Sequence, residues 1–171
     1  MALGRAAVIA AFIVMVGIVP ALAIEPLPAP TGPVILVLDG KLDIHNTADG
    51  KAAFDLAMLQ ALPKSGFTTT TIWTDGSQTF EGVKIADLLA RLGAKPAELN
   101  ALAANDYEIR FPSSDALTHG AIIAYAQNGA AIPVDNKGPL WIVYPYDQDA
   151  ELSNERYLSQ SVWSLDHMTL Y

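Results

Sequence analysis

From Asp135 to Asp147 the chain reads Asp-Asn-Lys-Gly-Pro-Leu-Trp-Ile-Val-Tyr-Pro-Tyr-Asp. A short polar loop closes on Gly138-Pro139, five apolar or aromatic residues follow, and Pro145 stops them. This is the pattern of a turn feeding a buried strand. Side chains alternate along a strand, so Trp141 and Val143 take one face and Leu140, Ile142 and Tyr144 the other. With both faces covered, Trp141 needs a partner for its ring nitrogen, and a pocket is one place to find it.

The N-terminal residues are set aside before the rest is read. Arg5 gives a minimal basic start, Ala6 to Val19 is almost wholly apolar, and Ala21-Leu22-Ala23 after Pro20 has the small-x-small pattern of an export-signal cleavage site. The expected organisation is a signal peptide over 1–23, a proline-rich arm over 24–33 and one domain over 34–171, released into the periplasm. No later stretch is long and apolar enough to insert stably in a bilayer. Ten basic against 18 acidic residues, a formal net charge of -8, argue against nucleic acid as a partner. The chain has no cysteine, so the domain is built without disulfides.

The remaining patterns are those of short strands with a few short helices. Val34 to Leu38 reads as a strand followed by an Asp39-Gly40 turn. Asp55 is placed to cap a helix from Leu56 that ends before Pro63. Thr68 to Trp73 and Thr79-Phe80 flank Asp75-Gly76 as a hairpin. Val83 to Leu92 has the clearest helical stripe, closed by Gly93. Pro96 to Leu102 is expected to add a helical turn, and Pro112 to Asp115 to close a strand over Tyr107 to Phe111. Ala121 to Ala126 reads as a strand with an Asn128-Gly129 turn, and Gln148 to Arg156 as a solvated acidic loop. The sum is a single α+β, mostly β domain.

Catalytic inventories are thin. His45, His119 and His167 lack metal-ligand spacing, and no metal site is expected. Ser77, Ser113 and Ser114 lack the setting of a nucleophile elbow. A binding constellation stands out more clearly: Trp73 and Thr74 at the end of a hairpin strand, Asn105, Asp106 and Tyr107 where a loop becomes a strand, and Lys137, Gly138 and Trp141 in the opening stretch. Aromatic faces beside amide and carboxylate groups suit a planar polar heterocycle, whose donor-rich edge a carboxylate such as Asp106 can read in bidentate fashion. The same residues also read as core aromatics and a capped turn.

Phe54-Asp55-Leu56, Thr71-Ile72-Trp73-Thr74, Phe80-Glu81-Gly82-Val83, Ala104-Asn105-Asp106-Tyr107, Lys137-Gly138-Pro139-Leu140-Trp141, Tyr144-Pro145 and Trp163-Ser164-Leu165 occur in that order. In this order the chain resembles the sulfite-oxidase-like molybdopterin-binding domain in its small exported form. The resemblance implies a mostly β fold with short helices and a pterin site framed by loops. Catalytic members hold molybdenum through a protein cysteine, which this chain lacks, and the residues that hold the cofactor's phosphate also find no clear match. Arginine and aspartate, usual before the lysine of that loop, are replaced by Asp135 and Asn136, which bears on how the ligand's tail is anchored. The resemblance to small cysteine-free relatives therefore implies non-catalytic binding of a tetrahydropterin-like ligand without molybdenum. It further implies relay of ligand status to the periplasmic domain of a membrane diguanylate cyclase or phosphodiesterase. Two alternatives stay open: a molybdopterin-dependent oxidoreductase without a cysteine ligand, and a protein-interaction module with a vestigial pocket.

Overall fold

The structure, a computed structural model, describes residues 25–171. The expected signal peptide lies outside the described residues.

The described residues begin with an arm held by specific contacts. Leu27 is buried, the Asn46 side-chain amide donates to the Pro28 carbonyl at 2.7 Å, and Arg91 donates to the Pro26 carbonyl at 3.0 Å. Thr31 and Gly32 donate their backbone N–H groups to the Asp55 carboxylate at 2.7 and 2.8 Å. Strand β1 (Leu36–Gly40) and β2 (Ala52–Phe54) follow, then α1 (Leu56–Gln60). Asp55 caps α1 as its sequence position predicts, accepting from Met58 N–H at 2.9 Å. Those backbone donors, Met58 first and then Gly32, hold the Asp55 carboxyl below the usual aspartate range.

Next come β3 (Lys64–Thr70) and β4 (Ser77–Lys84), a hairpin paired over seven rungs. Helix α2 (Ile85–Arg91) starts two residues later than its apolar stripe suggests. Val83 and Lys84 pair with Ile123 and Ile122 in the neighbouring strand and stay extended. Strands β5 (Glu98–Ala103) and β6 (Glu108–Pro112) precede α3 (Ser113–Thr118), then β7 (Ile122–Gln127), β8 (Ala130–Ala131) and β9 (Trp141–Val143). Two short 3-10 turns, α4 (Glu155–Ser159) and β10 (Leu165–Leu170) complete the chain.

The strands form two five-stranded sheets. One runs in the order β2-β1-β10-β5-β6, the other β3-β4-β7-β8 with β9 also paired to β7. Their inner faces share one core: Leu36, Leu38, Leu99, Met168 and Leu170 from the first, and Phe80, Val83, Ile122 and Ile123 from the second. This is an α+β domain, mostly β with short helices. Residues 140 to 144 are all at most 1 % exposed, so the apolar run in the opening stretch is core on both faces.

Four expectations are corrected. Asp39 and Gly40 belong to β1, which runs parallel to β10, rather than to a turn; at Gly40 any side chain would collide with the Leu170 carbonyl. The stretch expected to be helical after Pro96 is β5, because Leu99, Ala101 and Ala103 alternate inward between β10 and β6. Pro112 to Asp115 does not simply close a strand: Ser113 and Asp115 lie in α3. The acidic segment expected as loop carries α4, with Asn154 as its cap, accepting from Arg156 N–H at 2.9 Å.

Candidate functional site

Three stretches far apart in sequence meet at an aromatic groove of about 330 Å³. Ile72 and Trp73 come from the β3–β4 turn, and Tyr107 from the β5–β6 turn. Glu155, Leu158 and Ser159 come from α4, and Ser161 and Trp163 from the segment after it.

The β3–β4 turn is fixed in place by hydroxyls. Thr71 and Thr74 share a hydrogen bond at 2.8 Å, and Trp73 N–H donates to the Thr71 hydroxyl at 3.1 Å. At its base, Thr70 donates backbone N–H and hydroxyl to the Asp147 carboxylate at 2.8 and 2.5 Å, while Asp147 N–H donates to the Thr69 hydroxyl at 3.0 Å. The Trp73 ring therefore has a defined position, edge-on to Trp163, Trp141 and Tyr146 with centroids 5.5, 5.9 and 6.4 Å away.

Trp141 is wholly buried and backs the groove instead of facing it. It also packs on Phe80, at 5.4 Å. Its indole nitrogen has no hydrogen-bond partner among the described residues, so the expected partner for that nitrogen is missing.

Behind α4 lies a buried polar network. Asp115, only 5 % exposed, accepts two hydrogen bonds from Arg156, at 2.8 and 2.6 Å, and a third from the Gln160 amide at 2.7 Å. The Gln160 carbonyl in turn accepts from the Tyr144 hydroxyl at 2.6 Å. Burial, with the Asp115 charge next in weight, pushes the Tyr144 phenol well above its ordinary value, and the hydrogen bond to Asp115 raises Arg156. Burial also pushes Tyr146 up to about 12, against the opposing hydrogen bond it shares with Ser161. His119 and Tyr157 share a further contact at 3.1 Å. The network sets the position of the helix that carries Glu155 to the groove.

Of the residues singled out in the sequence, the structure brings Trp73 and Tyr107 onto the groove with Trp141 behind them. The Tyr107 hydroxyl donates to the Ser159 carbonyl at 2.8 Å and ties the β5–β6 turn to α4. Asn105 and Asp106 form that turn: the Asn105 side chain accepts from Tyr107 N–H at 3.3 Å, and Asp106 is exposed with φ 65°. Thr74 braces the neighbouring turn. None of these three lines the groove.

Lys137 sits with its ammonium 5.9 Å from the Trp141 ring centroid, donates to Asn136 at 3.3 Å, and is likewise outside the lining. Gly138 is buried so tightly that a side chain would collide with the Ile132 carbonyl, which makes it a packing glycine. Sequence reasoning missed Ile72, Glu155, Leu158, Ser159, Ser161 and Trp163 as lining residues. The one local signal for the α4 group was Asn154 before Glu155-Arg156-Tyr157-Leu158, a cap followed by helix formers.

Residues 32–148 match the family described as the oxidoreductase molybdopterin binding domain. The chain belongs to this family. Among solved structures, the molybdopterin-binding-domain fold is shared with the sulfane dehydrogenase SoxCD from Paracoccus pantotrophus, at a TM-score of 0.59 and 18% identity. The likeness covers 80% of this chain and 37% of that one, so the chain spans little more than a third of its length. No curated protein sequence matches.

These comparisons correct the expectation that a cysteine-free chain is not an enzyme. The family is described as an oxidoreductase domain and the solved structure of the same fold is a dehydrogenase, which weighs against reading the chain as a non-enzyme.

A molybdopterin cofactor combines a planar pterin, a metal held by sulfur and a phosphate. The aromatic sides of the groove fit the ring. Its lining holds no thiolate and no Lys or Arg, so it does not fit a protein-thiolate metal ligand or the phosphate. Among the described residues, no three His, Asp or Glu side chains gather in a way that would hold a metal. No described helix is long and apolar enough to cross a membrane.

Proposed function

We propose that this chain is an oxidoreductase-family domain that binds a pterin-type cofactor in the aromatic groove. Family membership over residues 32–148 supports the cofactor class, and the groove bounded by Trp73, Trp163 and Tyr107 is the single observation that carries the site. Trp73 and Trp163 bound the ring, Tyr107 fixes one rim through Ser159, and Trp141 supports Trp73 from beneath. These residues bind and orient a planar group and shield one side of it from water. A bound pterin would supply the redox-active ring. The chain's own residues supply position.

In this proposal the domain works after export, in the periplasm, and Lys137 and Gly138 shape the neighbouring loop rather than the ligand contact. A relay to a membrane enzyme of cyclic di-GMP turnover rests on the family resemblance alone, and no contact in the structure adds to it.

Purification from the native host, with mass spectrometry of the released ligand and molybdenum analysis, tests the proposal. The expected result is a stoichiometric pterin. A protein that is ligand-free and also fails to bind a panel of oxidised and reduced pterins would sink it. Dye-coupled oxidation assays on reduced sulfur compounds, the class named for the solved relative, then test for turnover.

A further inference from the structure

The polar oxygens on the groove are almost all in use. The Ser159 carbonyl accepts from Tyr107, the Ser159 hydroxyl donates to the Arg156 carbonyl at 2.8 Å, and the Ser161 hydroxyl is shared with Tyr146 and with the Tyr157 carbonyl. Glu155 is the exception. It is exposed, lines the groove, and makes no ion pair or hydrogen bond through its carboxylate among the described residues. Its neighbour Arg156 is committed to Asp115 on the other side of α4, and no cation lines the groove to neutralise it. A free carboxylate beside two indole rings is the complement of a planar group with a cationic or N–H-rich edge. The carboxylate takes two N–H donors in parallel, and the ring faces attract positive charge. An anionic or phosphorylated ring meets only repulsion there, in a protein whose net charge is already -8.

We infer that Glu155 makes this groove selective for a planar ring bearing a cationic or N–H-donor edge, and against its anionic or phosphorylated counterparts. The inference rests on the pterin reading for its natural ligand, an aminopyrimidinone edge whose ring N–H and amino group both point to one carboxylate. It does not rest on it for the selectivity itself. Glu155 takes the role that the sequence suggested for Asp106, because Asp106 is outside the lining.

The test uses two matched pairs of probes, with binding to the purified protein measured by calorimetry. One pair is 6-hydroxymethylpterin and its phosphate ester. The other is proflavine, a planar aromatic cation with amino edges, and anthracene-2-sulfonate, a planar anion. The wild type is expected to favour the first member of each pair by about tenfold or more, the scale of one hydrogen bond to a charged group. Glu155→Gln should bring each ratio to within about threefold, and Glu151→Gln, an exposed carboxylate of the same acidic segment outside the groove, should leave both ratios as in the wild type.

Equal ratios in wild type and Glu155→Gln, or a wild type that prefers the anionic member, would overturn the inference. If the cation pair shows the Glu155 effect while neither pterin binds, the selectivity stands and the pterin reading falls. If pterins bind and Glu155→Gln changes neither ratio, the pterin reading stands and the Glu155 assignment falls. Should neither pair bind, both fall together.

Discussion

The two sides of α4 carry opposite kinds of carboxylate. Behind the helix, Asp115 is buried and accepts three hydrogen bonds from Arg156 and Gln160, so every part of its charge is answered inside the protein. In front, Glu155 is exposed, lines an aromatic groove and is answered by nothing among the described residues. The contrast separates a group that positions from one that is available to bind. A charge paired within the fold fixes the helix; a charge left facing aromatic rings can select what comes against them.

Several substitutions would break or sharpen this contrast. The largest effect is expected beneath the groove. Trp141→Ala removes a wholly buried ring that packs on Trp73, Trp163 and Phe80, and should cost about 3–5 kcal/mol in chemical denaturation and weaken ligand binding as well. A loss under about 1 kcal/mol would mean the cluster is not the base of the groove. Asp115→Ala comes next. It leaves Gln160 and Arg156 without their acceptor and should cost roughly 2 kcal/mol, below the roughly 3–5 kcal/mol of a fully buried pair because Arg156 stays half exposed. Its probe selectivity should weaken as well, because the helix that carries Glu155 loses its anchor, and a selectivity unchanged from the wild type would show that the Asp115 network does not position Glu155.

Tyr144→Phe deletes the hydroxyl that donates to Gln160 and should cost about 1 kcal/mol in thermal or urea unfolding, with selectivity retained because Asp115 still holds Arg156 and Gln160. Glu155→Gln is the smallest for the fold, within about 0.5 kcal/mol of wild type, because an exposed side chain without partners has little to lose. If Glu155→Gln were instead markedly destabilising, the residue would be structural and the contrast between the two sides of α4 would disappear.

Local chemistry in the sequence made some of this visible. Asp55 was a cap and proved one, and Asp75-Gly76 marked the β3–β4 hairpin. The apolar run from Leu140 to Tyr144 was core on both faces. What failed were the features decided by distant partners. Asp39-Gly40 looks like a turn in isolation, but β10, from the far end of the chain, captures it as a parallel strand. Pro96 to Leu102 looks like a helical turn until β10 and β6 close on either side of it.

The site divides in the same way. Trp73 and Tyr107 were legible because aromatic residues at loop edges stand out against their neighbours. Glu155 was not, since an acidic residue in a polar segment carries no local mark, and the groove that gives it meaning is assembled from three separate stretches. Asp106 carried the stronger local signal of the two carboxylates, yet its backbone, at φ 65°, serves the turn.

Binding of a pterin-type ring in the aromatic groove is tested most directly by calorimetric titration of wild type and Trp73→Ala with a tetrahydropterin. The wild type is expected to show one saturable site and Trp73→Ala a loss of affinity of about tenfold, the scale of a stacked aromatic contact. Equal affinity in the two proteins, or no saturable binding to the wild type, would contradict it.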